Sequence, residues 1–494
     1  MLHIAGRSLR PRRVAITAVV SALVLILAAC GSNLNPNDVS ANGVDSGTGQ
    51  VIDPNTGEVI DPGTDPGTVP GTDPGTAPGT DPGTAPGTDP GTDPGTDPGT
   101  APGETEPPVT GDAGNCDGFK NGTGITDDTI TIGNASDISG PVPGLFETAQ
   151  DGTRAFVTFF NASVPEGICG RKLALKTYDS RTDAGADQQA YTAACDEVFA
   201  MVGSVSAFDS GGARTAQTCG LPDLRGGSVT VARNACTTCF GVQAVNTAFY
   251  ENAVPDFIKE QYSSSADNVG YLYINAGAAA ENSLAQVRAM EKRGLEFDVV
   301  QGIDISEFNY APFVQQLKDA GVEVVFWTGA YQQSIRLRQA MQQSGYTPKL
   351  YLRDPTDYNP DYVEQGGSAV EGTVVFMNFT PFEESGSNPE LANYLSWLQQ
   401  VKPGADPQFF GVFAWSAARL FVQLASELGG KLSRDTLIDA TRKVTDWTAE
   451  GMHAPQPVGA RGTGECWRFI QLNDGKWSPV GGTKYACNGL TSSS

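Results

Sequence analysis

Histidine is scarce in this sequence: only His3 and His453 occur among its 494 residues. With two imidazoles, neither a multi-histidine metal site nor a serine–histidine–aspartate triad is expected. Basic residues are also few, since 32 Lys and Arg face 56 Asp and Glu, and the formal net charge is −24. Nucleic-acid phosphates would repel such a chain. The G-x-S-x-G, P-loop and H-E-x-x-H patterns are absent too, so we predict no enzyme activity, cofactor, metal or nucleic-acid partner.

The N-terminus has the order of features typical of an exported lipoprotein. Four arginines lie within residues 7–13, residues 14–27 form an apolar run, and Leu27-Ala28-Ala29-Cys30 follows. The run is short for a membrane span, and the small residues before Cys30 resemble a bacterial lipobox. We predict a signal peptide over residues 1–29 and diacylglycerol on Cys30, which would anchor an extracytoplasmic protein to the cell membrane. An ordinary signal peptide and an uncleaved N-terminal helix remain alternatives.

A low-complexity segment follows the predicted anchor. Residues 31–115 contain no Lys, Arg, Phe, Trp or Tyr, and residues 61–100 repeat a tetrad in which Asp, Ala or Val precedes Pro-Gly-Thr. Proline favours extended chain, glycine loosens it and the aspartates repel one another. We predict that residues 30–115 are a disordered, solvated tether and that residues 116–494 fold. A tract that binds a partner or the cell wall is the alternative.

Strand-like and helix-like segments alternate after residue 116. The predicted strands are residues 129–133, 172–178, 201–202, 269–274, 297–305, 322–327 and 350–352. The predicted helices are residues 148–161, 187–199, 281–293, 311–320 and 332–344. Such alternation predicts an α/β fold with parallel sheets flanked by helices, and the number of elements favours two lobes.

Ligands of open α/β sheets bind beyond the carboxyl ends of the strands. The loops that follow the strands are therefore the candidate binding segments. They comprise residues 134–145, 203–212, 228–234, 275–281, 328–332 and 353–359.

Eight cysteines besides Cys30 lie in a chain predicted to be exported, where disulfides are permitted. The sequence does not fix their pairing. A hairpin pattern between them favours Cys466–Cys487, and the pairs Cys116–Cys169 and Cys195–Cys219 are plausible companions. Cys236 and Cys239 form a C-x-x-C, for which a structural disulfide or two separate bridges is favoured over a redox site.

Several segments resemble, in order, the branched-chain amino acid type of solute-binding protein of ABC importers. Ile132-Gly133, Asp137-Ile138-Ser139-Gly140 and Gly170-Arg171-Lys172-Leu173 resemble the opening strand, turn and second strand of that family. Residues 308–313 with 317–321 resemble the family's helix before the strand at Val324, and residues 338–345 resemble the helix that follows. Residues 371–375 resemble the strand that returns to the first lobe. The resemblance runs from about residue 124 to about residue 446.

This resemblance implies a two-lobed type I periplasmic-binding-protein fold with chain crossings near Ala244 and Gly372 and a third near the C-terminus. Residues 116–244 and 372–450 would form one lobe, and residues 245–371 and 451–494 the other. A small solute would bind between the lobes, and a monomeric, lipid-anchored protein would deliver it to an importer permease. A cell-surface sensor and an exported hydrolase on the same fold are the alternatives.

In amino-acid binders of this family, first-lobe hydroxyl and N–H groups hold the solute carboxylate, and a second-lobe acid holds its ammonium. The resemblance assigns ligand contacts to Phe208, Asp209, Ser210, Ser228, Thr230, Tyr331 and Asp354. Leu145 and Ala279 stand where the family carries aromatic residues. Because Asp209 would repel an anion, we expect a small polar solute (an amino acid, an amide or a related compound), and cationic, amide-bearing or uncharged solutes fit best.

Overall fold

The structure, a computed structural model, describes residues 114–494 and the backbone of two short strands, Val51–Ile52 and Val59–Ile60. The chain divides into two units, Met1–Pro98 and Gly99–Ser494. The two short strands pair antiparallel inside the segment predicted to be a disordered tether, and each is a β-branched Val-Ile pair. The predicted signal peptide, the predicted lipidation of Cys30 and the rest of the tether up to residue 113 lie outside the described residues.

The first lobe is built on a parallel sheet of five strands. These are β1 (Thr129–Ser136), β2 (Lys172–Asp179), β3 (Ala200–Val202), β4 (Asp223–Arg225) and β5 (Cys239–Gly241). Their spatial order is β2-β1-β3-β4-β5. The last three strands are buried along their whole length, as expected for parallel strands covered on both faces.

The second lobe is built on a larger, mixed sheet. Ten further strands follow in the chain: β6 (Phe249–Glu251), β7 (Val269–Ile274), β8 (Phe297–Ile303), β9 (Val324–Thr328), β10 (Leu350–Arg353), β11 (Thr373–Met377), β12 (Cys466–Asn473), β13 (Lys476–Val480), β14 (Ala486–Cys487) and β15 (Leu490–Ser492). The order is β8-β7-β9-β10-β11-β12-β13, with β14 paired to β12. Strands β7 to β11 are parallel, whereas β12 and β13 return antiparallel; β6 pairs with β15 in a separate small sheet.

Helices flank both sheets. They are α1 (Glu147–Ser163), α2 (Ala184–Glu197), α3 (Ala213–Thr218), α4 (Val231–Ala235), α5 (Ala253–Gln261), α6 (Gly277–Lys292), α7 (Ala311–Asp319), α8 (Tyr331–Gln343), α9 (Pro360–Gly366), α10 (Pro389–Val401), α11 (Phe409–Leu428) and α12 (Arg434–Thr441). The predicted α/β class with sheets flanked by helices is confirmed. The first sheet is parallel throughout, whereas the second is parallel over five strands and ends in antiparallel ones.

Alternate side chains of the second sheet feed two separate cores. Tyr271 and Phe326 pack with the helix α5 side, and their rings stack with centroids 5.1 Å apart. Leu272 and Trp327, their neighbours in the chain, pack in the opposite core with α7 and α8. Successive strand residues point to opposite faces, so a nearly continuous apolar run serves both cores.

Helix α11 forms the centre of the first lobe. Its Trp415 packs against Phe156 and Phe159 of α1, with ring centroids 5.0 Å and 5.3 Å away. Among the described residues, this is the one helix long and apolar enough to cross a membrane, yet 89% of its apolar window is buried inside the lobe. The burial identifies α11 as a core helix of the folded lobe.

The second chain crossing lies later than the sequence resemblance implied. Gly372 was expected to open the return to the first lobe, but the next residues form β11, which pairs with β10 and β12 of the second sheet. The chain therefore leaves the second sheet only after Met377. The sequence of β11 is compatible with either sheet, because its buried apolar residues do not specify the strand with which they pair.

Four disulfides are present in the described part of the chain. They join Cys116 to Cys169, Cys195 to Cys219, Cys236 to Cys239 and Cys466 to Cys487. The first, second and fourth are the pairs considered from the sequence. The C-x-x-C closes on itself, which is the first of the two structural options left open for it.

Candidate functional site

The loops that follow the strands of the two sheets face each other across a cavity of about 930 Å³, which includes its opening to solvent. All six loops singled out from the sequence contribute to the wall, through Leu145, Phe208, Val229, Ala278, Gly329 and Asp354 among others. Parallel sheets bind ligands at this edge. This central cavity is the candidate site.

The wall of the central cavity is mostly apolar. Val205, Ile274 and Phe410 belong to it, and Phe410 packs edge-on against Phe146 at a centroid distance of 4.5 Å. Gln243 and Asn282 interrupt the apolar wall. Ligand pockets commonly combine apolar walls with a few polar groups that orient the ligand.

Two further cavities adjoin the central one. The Tyr250 cavity, of about 750 Å³, is lined by Tyr250, Glu251 and Gln286. The Lys402 cavity, of about 1020 Å³, is lined by Lys402 and by Tyr331. Both share residues with the central cavity, so the cleft between the lobes is longer than the central cavity alone.

Asp209 borders the central cavity, but its carboxylate is bound inside the first lobe. It accepts hydrogen bonds from the backbone N–H groups of Val229 at 2.9 Å and Thr230 at 3.3 Å, and from the Thr230 hydroxyl at 2.5 Å. Asp209 is only 1% exposed. Thr230 also accepts the N–H of Arg233, which caps α4. The Asp209 carboxylate therefore ties together the loops that follow β3 and β4.

A second buried carboxylate, Asp137 after β1, holds the loop after β3 from the other side. It accepts the backbone N–H groups of Ala207 and Thr182, each at 2.8 Å, and the Ser180 hydroxyl at 2.5 Å. Burial raises the pKa of Asp137, and these hydrogen bonds oppose that rise. The N–H of Ala207, near the predicted carboxylate position, is consequently occupied by the protein itself.

A buried charge cluster lies behind the Asp209 loop. Arg233 donates to Asp223 at 2.8 Å and to Asp187 at 3.1 Å, and its Nε donates to the carbonyl oxygen of Asp209 at 2.6 Å. Arg225 contacts Asp223 at 3.5 Å, and all four charged side chains are fully buried. Because buried charges require partners, this cluster positions the loop after β3 precisely.

In the second lobe, Arg353 joins the ends of β9 and β10. It is fully buried and donates to Asp357 at 2.6 Å and to the carbonyl oxygens of Trp327 and Gly329. The neighbouring Asp354 accepts the N–H of Thr356 through Oδ1 at 2.9 Å. Its Oδ1 also lies 3.6 Å from Nη2 of Arg353, with which it forms an ion pair. Its side chain is 27% exposed, and its Oδ2 has no hydrogen-bond donor within residues 114–494. Asp354 is thus the carboxylate that remains open to a ligand.

Glu251 is a buried acid in the wall of the Tyr250 cavity. Burial raises the pKa of Glu251 to about 7, although a hydrogen bond from Gln286 favours the ionised form. The Tyr271 hydroxyl donates to Gln286 Oε1 at 2.7 Å and bonds the Thr328 hydroxyl at 2.9 Å. Because Thr328 also lines the central cavity, a chain of polar groups connects the two spaces.

The two lobes contact each other directly beside the central cavity. The backbone N–H of Ala278 in the second lobe donates to the carbonyl oxygen of Ala207 in the first at 2.8 Å. Nearby, the N–H of Val231 donates to Glu281 at 2.9 Å. Gly277, at the start of α6, has a φ of +49°, and a Cβ there would overlap the Ala207 carbonyl oxygen. Only glycine fits this approach of one lobe to the other.

The structure brings together three of the seven predicted ligand residues: Phe208, Asp209 and Asp354 line the central cavity. Tyr331 lies in the Lys402 cavity, where its hydroxyl donates to Asp361 at 3.0 Å.

The other three predicted residues lie in the first lobe, away from the lining of the central cavity as the described residues form it. Ser228 is buried and donates to Asn234 at 3.1 Å, and Thr230 holds Asp209. Ser210 is partly exposed in the turn before α3. The hydroxyls of Ser228 and Thr230 each donate a hydrogen bond to another residue of the first lobe, Asn234 and Asp209 respectively.

Sequence reasoning missed Gln243, Asn282 and Phe410 as wall residues. Gln243 follows a three-residue strand that has no recognisable period, and Asn282 lies inside a helix. Phe410 is the second residue of α11, more than a hundred residues from the first-lobe segments that it contacts. No local pattern marks these positions, since only the packing of the lobes brings them to the cavity.

His453 is the histidine of the described region, and it is a core residue. Its Nε2 lies 2.8 Å from the Ser416 hydroxyl oxygen, and burial lowers the pKa of His453 to about 4. Residues 114–494 also contain no group of three or more His, Cys, Asp or Glu residues that could hold a metal ion.

Comparison with known proteins agrees with this architecture. The chain is similar to the Leu/Ile/Val-binding protein homolog 1 of Brucella suis, with 23% identity over 142 residues, which is 29% of this chain and 36% of that relative. The chain thus aligns with about a third of the length of these curated relatives.

Solved structures match over a longer span. A fatty acid ABC transporter substrate-binding protein from Thermomonospora curvata superposes with a TM-score of 0.65 at 18% identity, covering 75% of this chain and 95% of that one. A branched-chain amino acid transporter substrate-binding protein from Streptococcus pneumoniae, in complex with isoleucine, gives 0.61 at 15%, covering 73% and 99%. A solute-binding protein from R. palustris, in complex with 4-hydroxybenzoate, gives 0.60 at 17%, covering 73% and 98%. At these identities the likeness shows the fold.

A family profile decides the assignment. The periplasmic binding protein profile matches residues 129–476, which include the first sheet, the second sheet through β12 and every loop of the central cavity. The resemblance found in the sequence is confirmed: the chain belongs to the periplasmic binding protein family.

Proposed function

We propose that this chain is a monomeric, membrane-anchored extracytoplasmic protein that captures a small polar solute, such as an amino acid, an amide or a related compound, and delivers it to an ABC importer. The observation that carries the proposal is a cavity enclosed by loops from both lobes. A site divided in this way binds its ligand fully only when the lobes close on it, and the closed form then differs in shape from the open one.

Direct contact between the lobes supports closure. The hydrogen bonds from Ala278 to Ala207 and from Val231 to Glu281 cross from one lobe to the other. They form only while the lobes are together. A solute that fills the cavity adds contacts with both sides and would shift the population toward this closed form.

The anchor is supported by the order of features around Cys30. Cys30→Ser would remove the acylated thiol and should release the protein from membranes into the medium or periplasm. Retention of the variant in the membrane fraction would indicate an uncleaved N-terminal helix. Wild-type protein serves as the control, since both chains share every other residue.

Binding is tested by a thermal-shift screen of the purified chain against amino acids, amides, polyamines and small organic acids. A ligand that binds the folded form raises the melting temperature by mass action. Recovery of each hit unchanged, together with loss of its uptake when the gene is deleted, would support the proposal. Conversion of a hit to product would support an exported hydrolase, and binding without any loss of uptake would support a surface sensor.

A further inference from the structure

We propose that the solute carries an amide or amine nitrogen on an apolar body and carries no carboxylate or phosphate. This inference rests on the proposed function and narrows it: of the solutes named there, it keeps amides and amines and excludes free amino acids, which carry a carboxylate. It follows from the hydrogen bonds and charges that the cavity already contains.

Five backbone N–H groups at the first-lobe edge of the cavity are already bonded inside the protein. Those of Ala207 and Phe208 donate to Asp137 and to the Ser206 hydroxyl, at 2.8 Å and 3.2 Å. The N–H of Ser228 donates to the Gln243 carbonyl oxygen at 3.1 Å. The N–H groups of Val229 and Thr230 donate to Asp209. An anion bound at such loops would need unpaired N–H groups, and none of these five is available.

Two carboxylates of the protein therefore take the place that an anionic ligand would occupy. Asp137 holds the loop after β3, and Asp209 holds the loop after β4 with two N–H donors and the Thr230 hydroxyl. Both are almost fully buried: Asp137 is 0% exposed and Asp209 is 1% exposed. A solute carboxylate would have to displace one of them, which would leave a buried charge without its donors.

The charges of the residues that line the cavities also disfavour an anionic solute. Within residues 114–494, the side chains that line the central and Tyr250 cavities include the acids Asp209, Glu251 and Asp354 and no lysine, arginine or histidine. The nearest arginines are paired, since Arg233 contacts two aspartates and Arg353 contacts Asp357 and Asp354. The lysine of the adjoining Lys402 cavity is also paired, with Glu147 at 2.9 Å and Asp151 at 2.8 Å. An anion transferred from water into this apolar, acidic space would lose its hydration free energy, and no cationic side chain in the two cavities would offset that loss.

The polar groups that remain are one charged acceptor and two neutral N–H donors. Asp354 Oδ2 is an acceptor without a protein donor, 27% of its side chain being exposed. The carboxamide nitrogens of Gln243 and Asn282 make no hydrogen bond to other residues of the described region. An amide could donate to Asp354 and accept from a carboxamide at once, and an amine would gain charge complementarity with Asp354. The apolar body would pack on walls such as Ile274 and Phe410.

Matched probes test the inference on the purified wild-type chain. Isothermal titration at neutral pH compares 4-hydroxybenzamide and 4-hydroxybenzylamine with 4-hydroxybenzoate, and isoleucinamide with isoleucine. We expect the amide or amine of a set to bind at least about tenfold more tightly than the carboxylate, which corresponds to one charge-assisted hydrogen bond. A carboxylate that binds as tightly as its amide would overturn the inference and leave the proposed function standing.

Hits of the wider solute panel are sorted in the same way. Hits confined to neutral and cationic nitrogen compounds support the inference, and hits that are mainly carboxylates or phosphates overturn it. If no compound of any charge binds, the proposed function fails, and the inference fails with it.

Two variants test which residues cause the preference for an amide or amine over a carboxylate. Asp209→Ala frees the N–H groups of Val229 and Thr230, so 4-hydroxybenzoate should gain affinity relative to 4-hydroxybenzamide by about tenfold. Asp354→Asn should weaken 4-hydroxybenzylamine by about tenfold and 4-hydroxybenzamide by less than about threefold, because only the amine loses a charge partner. Asp298→Asn, at an exposed position of β8, is the matched control and should change neither affinity.

Circular dichroism and melting curves establish that each variant folds. If Asp209→Ala is unfolded, Asp354→Asn and the wild-type probe comparison still decide the question. An unchanged preference for amine over carboxylate in Asp354→Asn would remove that residue from the site and contradict the charge argument.

Discussion

Gly277 offers the sharpest test of whether contact between the lobes holds the solute. Its φ is +49°, and a Cβ would overlap the carbonyl oxygen of Ala207 in the opposite lobe. That oxygen accepts the N–H of Ala278 at 2.8 Å. Gly277→Ala should therefore either separate the lobes locally or break this hydrogen bond. The overlap exists only when the lobes are together, so the substitution acts on closure.

The expected loss of solute affinity follows from the energy of the hydrogen bond between Ala278 and Ala207. An intramolecular hydrogen bond contributes a net stabilisation of about 0.5–1.5 kcal/mol. If the closed form loses that amount relative to the open form, the solute affinity should fall by roughly 2- to 13-fold. Titration of Gly277→Ala with the tightest-binding solute of the screen measures this loss directly.

Gly294→Ala is the matched control at the other end of α6. Gly294 also has a positive φ, +86°, but nothing lies within 4 Å of a Cβ built there. An alanine in a left-handed conformation costs about 1–2 kcal/mol, so this variant should melt at a lower temperature and bind the solute as wild type does. Unchanged affinity in Gly277→Ala, or an equal loss in both variants, would refute the role assigned to the lobe contact.

Three further predictions concern the stability of the fold. His453 has a pKa of about 4 when buried and an ordinary value of 6.5 in the unfolded chain, so the free energy of unfolding should fall by about 2 kcal/mol from pH 7 to pH 5. The substitution His453→Gln should remove this pH dependence, as measured by urea unfolding at both pH values. An unchanged dependence of stability on pH would show another group to be responsible. Arg353→Met leaves Asp357 buried without its partner and should destabilise the chain by about 3–5 kcal/mol in denaturant unfolding, a loss under 1 kcal/mol being contrary evidence. Replacing Cys116 and Cys169 by serine opens a loop with a sequence separation of 53 and should lower stability by about 4 kcal/mol, whereas equal midpoints in urea would rule this out.

The long elements of the fold could be predicted from local patterns. The strand predicted over residues 172–178 is β2, which ends one residue later than predicted. The helix predicted over residues 332–344 is α8, which begins and ends one residue earlier. Their periodicity is set by which face is buried, and a long element repeats that signal several times. Short elements gave no such signal. Strand β4 reads Asp-Leu-Arg, and its charges are buried only because Arg233 and Tyr191 reach them from distant helices.

The candidate site, like the fold, could be predicted from the sequence only in part. Its six loops were predictable, because the carboxyl ends of parallel strands define the binding edge regardless of which residues follow. The partners of Asp209 were not. The family resemblance assigns Asp209 to the ligand, whereas its carboxylate holds the loop after β4. That pairing joins residues twenty or more positions apart, and no periodic pattern encodes it.

The sequence by itself determined the α/β class, the alternation of strands and helices and the segments that reach the cleft, because these depend on residue type at short spacing. Tertiary structure alone decided the sheet to which β11 belongs, the capture of Asp209 by Val229 and Thr230, and the approach of Gly277 to Ala207. Each of these depends on which surfaces meet when the chain packs, and hydrogen bonds form only between groups that packing has already brought within about 3 Å of each other.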